Sequence, residues 1–281
     1  MKTMKSKTSG VVRLLLAAAA FAVTTLPSRA QDAAASTAAM NQVAPMTAPD
    51  DSWKFGVTVP LWAPQINGNA TIRGVQENVD VSFSQLRDHL DASFSLGLTA
   101  QKGKFGMFGS VGYMRFSGGS PAFSDNLKFL VANGGVSYLL FKTETDHPFI
   151  LAGTVGVRYW YTDNSFGVAP GILPPPFDVN GFNGGNTHNV VDPVIGLRAS
   201  QYFTPKLHLD VSGDGGGFDL NNDTDWTWSV TGVLSYDFAR WFTLSAGYSA
   251  LAIDESNGSG RGKNGVDLIF NGALVNLLFK F

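Results

Sequence analysis

The chain has 281 residues, no cysteine, 44% hydrophobic residues and only 15% charged residues. The lack of cysteine excludes a disulfide framework, a thiolate metal site and a cysteine nucleophile. Once residues 1–30 are removed, 15 Lys+Arg stand against 22 Asp+Glu. This negative balance argues against a nucleic-acid partner, because such binding needs a basic surface that displaces counterions from phosphates.

The first thirty residues have the pattern of an export signal. Three lysines within the first seven residues precede an apolar run from Val11 to Leu26, and Ser28-Arg29-Ala30 supplies the small residues that a signal peptidase needs. The apolar run is short for a bilayer core of ~30 Å and is interrupted by Arg13, which weighs against a transmembrane anchor. Residues 1–30 are therefore predicted to be a signal peptide with cleavage near Ala30.

Residues 31–51 form an alanine-rich stretch without alternation, and we expect a disordered periplasmic leader there. The remainder, residues 52–281, is predicted to be one domain. It is rich in glycine and phenylalanine, yet it contains no apolar run of ~20 residues, so helical membrane spans are excluded. A transmembrane β-barrel reconciles these facts, because one face of each strand meets lipid while small and polar residues fill the interior.

The end of the chain shows the expected alternation most clearly. Counting back by twos from Phe281 gives Phe279, Leu277, Val275 and Ala273, an apolar row on one face of a strand. This row is how an outer-membrane barrel ends, and Leu277, Phe279 and Phe281 are its signature. We expect it to face outer-membrane lipids and to be recognised by the barrel-assembly machinery.

Alternating segments separated by turn-rich breaks predict an antiparallel barrel of about ten strands, with eight or twelve as alternatives. Short and long connections alternate, which places both termini on the periplasmic side. The predicted strands span residues 53–63, 91–101, 105–116, 127–142, 148–161, 189–203, 206–218, 224–238, 241–253 and 266–281.

Two features of the region before the second strand complicate this count. Pro60 and Pro64 cannot donate ladder hydrogen bonds, so we expect a bulge or a strand end there. Residues 64–90 are predicted to form an outside loop that contains a small hairpin or an inward-folded plug, with a capped helical turn from Ser84 to Leu90. Residues 70–74 and 78–83 could pair as an extra hairpin, which would give twelve strands.

Aromatic residues cluster near the predicted strand ends. Rings with a polar edge prefer the two bilayer interfaces, and this placement favours a barrel over a soluble β-sandwich, whose aromatics would lie mid-strand. The predicted membrane-interface aromatics are Trp53, Trp160, Trp226, Trp228 and Trp241.

Alternation assigns the few charged strand residues to the lumen, namely Arg158, Asp192, Arg198, Asp210 and Asp214. Counting from the shared turns, we expect Arg158 to lie level with Asp192, and Arg198 to meet Asp210. Buried charges must pair with one another, so a structural network that plugs a narrow, side-chain-filled lumen is favoured over a selectivity filter or binding site.

Enzymatic chemistry has one candidate. His208 shares a strand face with Asp210 and Ser212, but that face points into the lumen, whereas a lipid hydrolase needs its nucleophile and base at the lipid-facing rim. We therefore predict that the protein is not an enzyme and binds no cofactor. No catalytic, cofactor-binding or metal-binding residues are predicted.

Four segments carry a family resemblance. They are residues 79–86 (VDVSFSQL), 192–198 (DPVIGLR), 213–218 (GDGGGF) and 248–251 (YSAL). The chain resembles a group of uncharacterised small outer-membrane β-barrel proteins of Gram-negative bacteria, and more distantly the OmpA- and OmpW-like superfamily. The resemblance spans residues 53–281. It implies the architecture and the adjacency of the Arg198 and Asp210/Asp214 strands, but it implies no activity.

The predicted role is a structural or surface-exposed one in the bacterial cell outer membrane. The alternatives are a narrow channel for small or amphipathic solutes and a lipid-modifying hydrolase. No ligand is identified by the sequence.

Overall fold

The computed structural model describes residues 52–72, 74–120, 123–168, 182–218, 226–257 and 264–281. The predicted signal peptide and leader lie outside the described residues. No helix in the described part of the chain is both long and apolar enough to cross a membrane.

The described segments form eleven strands and one short helix. In chain order these are β1 (Lys54–Ile72), β2 (Val75–Val81), α1 (Phe83–Asp88), β3 (Leu90–Lys102), β4 (Phe105–Ser120), β5 (Phe123–Lys142), β6 (Phe149–Val168), β7 (Phe182–Tyr202), β8 (Leu207–Gly217), β9 (Trp226–Ala239), β10 (Phe242–Asn257) and β11 (Asn264–Lys280).

Ten of these strands close into an antiparallel barrel. From β3 to β11 each strand pairs with the next in sequence, and β1 pairs with both β3 and β11. The seam between β1 and β11 runs from Gly56 opposite Lys280 to Thr71 opposite Gly265. Below it, Phe55 and Phe281 exchange two backbone hydrogen bonds of 3.1 and 2.9 Å. The predicted ten-stranded barrel is thus confirmed, and the eight- and twelve-stranded alternatives are wrong.

The eleventh strand is the return arm of a small hairpin. β1 continues through both prolines to Ile72, so the prediction that it would end near Ala63 is wrong, and β2 then pairs with residues 66–72. The helical turn α1 follows. Its start carries a capping box in which Ser82 and Gln85 satisfy each other's backbone N–H groups. The predicted hairpin and capped turn are therefore confirmed.

The strands divide their side chains between an outward apolar band and the lumen. On β1 the outward row runs from Trp53 to Ala63, and on β11 it contains Val275, Phe279 and Phe281. Eleven residues at ~3.3 Å each and a tilt of about 40° give roughly 25–28 Å of height along the barrel axis. This is the thickness of the apolar band of outer-membrane barrels, ~25 Å.

The outer half of the lumen is filled by apolar side chains. Val79 and Val81 of β2 and Leu86 of α1 pack there against inward residues of the barrel strands. The cluster, which we call the apolar plug, comprises Ile66, Val79, Val81, Leu86, Met114, Phe116, Phe129, Val131, Trp160, Val190, Leu251, Ile253, Val266, Leu268 and Phe270.

Candidate functional site: the polar lumen

Arg158 lies at the centre of a polar network below the apolar plug. Its side chain is completely buried, and it donates to Asn133 Oδ1 from Nε (3.0 Å) and to Thr227 Oγ1 from Nη1 (3.2 Å). From Nη2 it donates to Asp214 Oδ1 (2.8 Å), while Ser229 Oγ donates to the second Asp214 oxygen (2.8 Å). These residues come from β5, β6, β8 and β9, so the network joins four strands across the lumen.

Asp192 lies directly opposite Arg158 in the ladder between β6 and β7, as the sequence predicts. Its Oδ2 accepts a hydrogen bond of 3.1 Å from Trp160 Nε1. The Arg158 guanidinium carbon lies 5.8 Å from the centre of the Trp160 ring. The salt bridge of Arg158 goes to Asp214, which sequence reasoning placed with Arg198 instead.

Arg198 is held by an aromatic ring and not by Asp210. Its guanidinium carbon lies 5.1 Å from the centre of the Phe108 ring, and its Nη1 is buried without a hydrogen-bond partner among the described residues. Gly135 makes room for the neighbouring strand and for this stack, because an added Cβ there would clash with the Val155 backbone oxygen and come within 2.7 Å of Phe108 Cζ. A small space beside Arg198 is lined by Thr154 and Asp214, among other residues.

Asp210 is satisfied by hydroxyl groups. Ser200 Oγ donates to its Oδ1 and Ser235 Oγ donates to its Oδ2, both at 2.6 Å. His208 Nε2 lies 3.2 Å from Oδ2, and the fully buried imidazole stacks on Tyr202 at 4.6 Å between ring centres. Neither imidazole nitrogen has a well-oriented hydrogen bond to a described residue. The geometry therefore supplies an oriented carboxylate but no activated serine.

A further ion pair lies at the periplasmic end of the lumen. Lys280 Nζ is 2.6 Å from Asp237 Oδ1, and Thr243 donates to the same oxygen. The predicted lumen network includes neither of these two residues. The same count by twos that places Ser235 inside also places Asp237 there, so the signal was present in β9.

The predicted interface aromatics divide into two groups. Trp53, Trp226, Trp228 and Trp241 face outward, and Trp241 is 60% exposed beside the outward rings of β10 and β11. The interface prediction for Trp160 is wrong: it is 6% exposed and lies in the apolar plug, because even-numbered residues of β6 face the lumen. Trp160 lies near a strand end, which is why the sequence analysis placed it at the interface, but alternation along β6 places it in the lumen.

The C-terminal signature residues take the places that the sequence predicts. Phe281 is exposed and Leu277 and Phe279 are partly exposed on the outward face, while Asn276, which precedes Leu277, is fully buried in the lumen. These three side chains thus form a continuous apolar row on the outer face of the barrel.

Comparison with solved structures returns outer-membrane barrels. The outer-membrane protease OmpT from Escherichia coli is 11% identical, with 83% of this chain and 97% of that chain covered and a TM-score of 0.46. Ail, the attachment invasion locus protein of Yersinia pestis, is 10% identical (82% and 99% covered, TM-score 0.35). The translocator domain of the autotransporter NalP from Neisseria meningitidis is 11% identical (83% and 90% covered, TM-score 0.35).

No protein-family model matches the chain, and no curated protein matches it. The comparisons therefore do not test the resemblance to the OmpA- and OmpW-like superfamily. At these identities and TM-scores, the likeness to solved structures concerns the barrel fold and carries nothing about activity.

Proposed function

We propose that this protein is an integral barrel of the bacterial outer membrane with a structural or surface-presenting role, and that its lumen does not conduct. Support for the membrane placement comes from the outward apolar band, whose height matches that of outer-membrane barrels. In water, so extensive an exposed apolar surface would promote aggregation.

The observation that carries the non-conducting role is the filling of the lumen. The apolar plug closes the outer half with side chains as large as Phe270, Leu251 and Phe129, all at most 2% exposed. Water and ions do not pass through a packed apolar layer without displacing it. Below it, the Arg158 network joins opposite sides of the wall.

Single-channel recording in planar bilayers tests this role. We expect no stable conductance steps from the wild-type protein, and steps from the triple variant F129A/L251A/F270A, which empties the plug. The matched control is V230A/L234A, which removes two outward side chains and leaves the lumen intact. Stable conductance of the wild-type protein at every preparation would overturn the non-conducting role.

A narrow channel is the second candidate, and Arg198 is the observation that favours it. A buried guanidinium with an unsatisfied Nη1 beside a small space is a place where a solute or water would be held. In that case wild-type protein would conduct, and R198W would block the conductance.

We propose no enzymatic role. The only imidazole near a carboxylate in the described lumen, that of His208, is completely buried and has no serine hydrogen-bonded to it. Turnover of phospholipid or lipid A by the refolded protein, abolished by H208A, would overturn this proposal.

The proposed partners are outer-membrane lipids around the band and the barrel-assembly machinery at β11. The outward row of Leu277, Phe279 and Phe281 supports the second, because it is an apolar row on the strand that closes the barrel seam with β1. Replacing Phe281 and Phe279 by serine should lower the amount of protein in the outer-membrane fraction, whereas replacing inward Lys280 by serine should not.

A further inference from the structure

The ladder between β7 and β8 stops well short of the outer end of β7. It runs from Tyr202 opposite His208 to Val194 opposite Gly216, and no described strand pairs with this side of β7 beyond that point. On its other side, β7 stays paired with β6 as far as Phe182. We call the unpaired side of residues 182–189 the free edge of β7.

A proline ends the ladder on the β7 side. Tyr202 donates its backbone N–H to Pro148, next to β6, whereas Phe203 donates to Leu207 of β8. Because this direction alternates along an antiparallel strand, the odd-numbered residues of β7 point towards β8. Pro193 is the first such residue beyond the last pair, and it has no N–H to donate.

The end of β8 is fixed at the same level. Gly217 and Phe218 have φ angles of 89° and 58°, so the extended strand cannot continue past them alongside β7. A bulky residue rarely adopts this left-handed conformation. Phe218 is held in it by an edge-on contact with Trp226, at 5.5 Å between ring centres. The gap beside β7 is therefore a built feature of both strands.

The free edge lies above the apolar band. The outward residues of β6 change from Val157 to Asp163 through Tyr161, and those of β7 change from Val191 to Asn189. Tyr161 and Asn189 are ladder partners, so both strands become polar at one level. Tyrosine marks a bilayer interface. The unpaired backbone thus lies in water, where it is tolerated, and not in hydrocarbon, where it would not be.

The backbone of the free edge is accessible. Gly185 is exposed, and since it has no side chain its exposed surface is backbone; Thr187 and Asn189 are exposed as well. The four odd-numbered residues from 183 to 189 each direct one N–H and one C=O to this side. At about 3.4 Å per residue, these groups repeat every ~6.8 Å. Another extended backbone has the same repeat and the complementary groups.

The usual protections of an edge strand are missing. Natural edges carry charged residues, proline or a bulge, or are very short. Residues 182–189 (FNGGNTHN) contain no Lys, Arg, Asp, Glu or Pro, and their pairing with β6 has no bulge. Such an edge is suited to strand addition, in which main-chain hydrogen bonds supply the affinity.

A second copy in the same membrane does not fit this edge. Two copies are related by a rotation about the membrane normal, so their β7 strands run in the same direction and tilt in opposite senses. At a tilt of about 40° each, the strands would cross at about 80°, which is too steep for a ladder. The geometry thus favours a segment of a different polypeptide, which is free to align with β7.

We propose that the free edge of β7 binds an extended segment of an extracellular polypeptide as an added β-strand. A segment of seven or eight residues spans the edge. Recognition is through the backbone, so it tolerates many side chains but not proline at the positions that face β7. This inference names a partner for the proposed surface-presenting role and rests on it, but it does not depend on the filled lumen.

Fluorescence anisotropy with the protein in nanodiscs tests the proposal. The probe is a fluorescein-labelled peptide with the sequence of residues 161–168, the part of β6 that already pairs with residues 182–189 from the other side. We expect saturable binding to the wild-type protein and none to empty nanodiscs. Absence of saturable binding overturns the proposal. Nanodiscs leave both ends of the barrel accessible, so this result is independent of conductance and of orientation in the cell.

Two double variants test whether the backbone is what binds. T187P/N189P removes two N–H groups from the free edge and none from the ladder with β6, and it should weaken binding at least tenfold. T187A/N189A changes the same side chains but keeps the N–H groups, and binding should stay within about twofold of wild type. Equal losses in both variants would contradict recognition through the backbone. Heat-modifiable gel mobility confirms insertion of each variant.

Methylated peptides give the same test without changing the protein. In an added strand, alternate N–H groups of the peptide face β7. Methylation of the peptide nitrogens at positions 163 and 165, or else of those at 162 and 164, should abolish binding, while methylation of the other set should be tolerated. If T187P/N189P fails to insert, this comparison decides, and equal binding of the two methylated peptides overturns the proposal.

Discussion

Removal of the Asp214 carboxylate gives the sharpest test of the lumen network. The Arg158 side chain is 0% exposed and that of Asp214 is 8% exposed, so D214A leaves a buried cation whose remaining hydrogen-bond partners, Asn133 and Thr227, are neutral. Breaking a buried pair by removing one partner costs about 3–5 kcal/mol. The folded-to-unfolded ratio should thus fall by a factor of about 10² to 10⁴, at 1.4 kcal/mol per tenfold.

Urea unfolding in phospholipid vesicles, followed by tryptophan fluorescence and by heat-modifiable mobility, measures this loss. The matched control is D163A, which breaks an exposed pair with Lys128 and should cost about 0–1 kcal/mol. The double variant R158M/D214A should recover most of the loss, because replacing a whole buried pair by apolar groups is close to neutral. If D214A costs no more than D163A, the reasoning about the buried network is refuted.

Three further predictions concern packing and orientation. F270A should lower the free energy of unfolding by about 3–5 kcal/mol, because it empties a fully buried site in the apolar plug; a loss below about 1 kcal/mol in the same urea titration would contradict that packing. G135A should clash with the Val155 backbone oxygen and with the Phe108 ring, so F108A should relieve only the part of its cost that comes from the ring, and strictly additive costs would argue against the ring contact. A variant that keeps only Trp241 should be quenched by lipids with brominated acyl chains, while one that keeps only Trp160 should not; equal quenching would place Trp160 on the lipid side.

Period-two alternation predicted most of the barrel because each side of a strand meets a different environment. The outward row of β11 and the inward positions of Arg158 and Asp192 follow directly from it. Strand alternation also indicates that Trp160 faces the lumen. The interface prediction for Trp160 instead used its distance from the strand end, and that criterion is wrong here. Where two criteria conflict, parity is the stronger, because a shift of one residue would turn every side chain of the strand.

Other features depend on information that a single strand does not carry. The salt bridge joins Arg158 on β6 to Asp214 on β8, with β7 between them. Which carboxylate Arg158 reaches depends on the barrel shear and on the length of the arginine side chain. The apolar plug was hidden because its inward residues, such as Leu268 and Phe270, are as apolar as the outward Ile269 between them. Pro60 and Pro64 signalled a lost ladder, but the loss lies on one edge of β1 only, and the strand continues along β11.

The most direct test of a closed, membrane-embedded barrel is a disulfide across its seam. The chain has no cysteine, and Leu61 lies opposite Val275 in the ladder between β1 and β11. After mild oxidation, L61C/V275C should form an intramolecular disulfide in the outer-membrane fraction of cells, while the out-of-register pair L61C/F279C should not. Absence of the L61C/V275C bond, or recovery of the cross-linked protein among soluble periplasmic contents, would contradict the closed outer-membrane barrel.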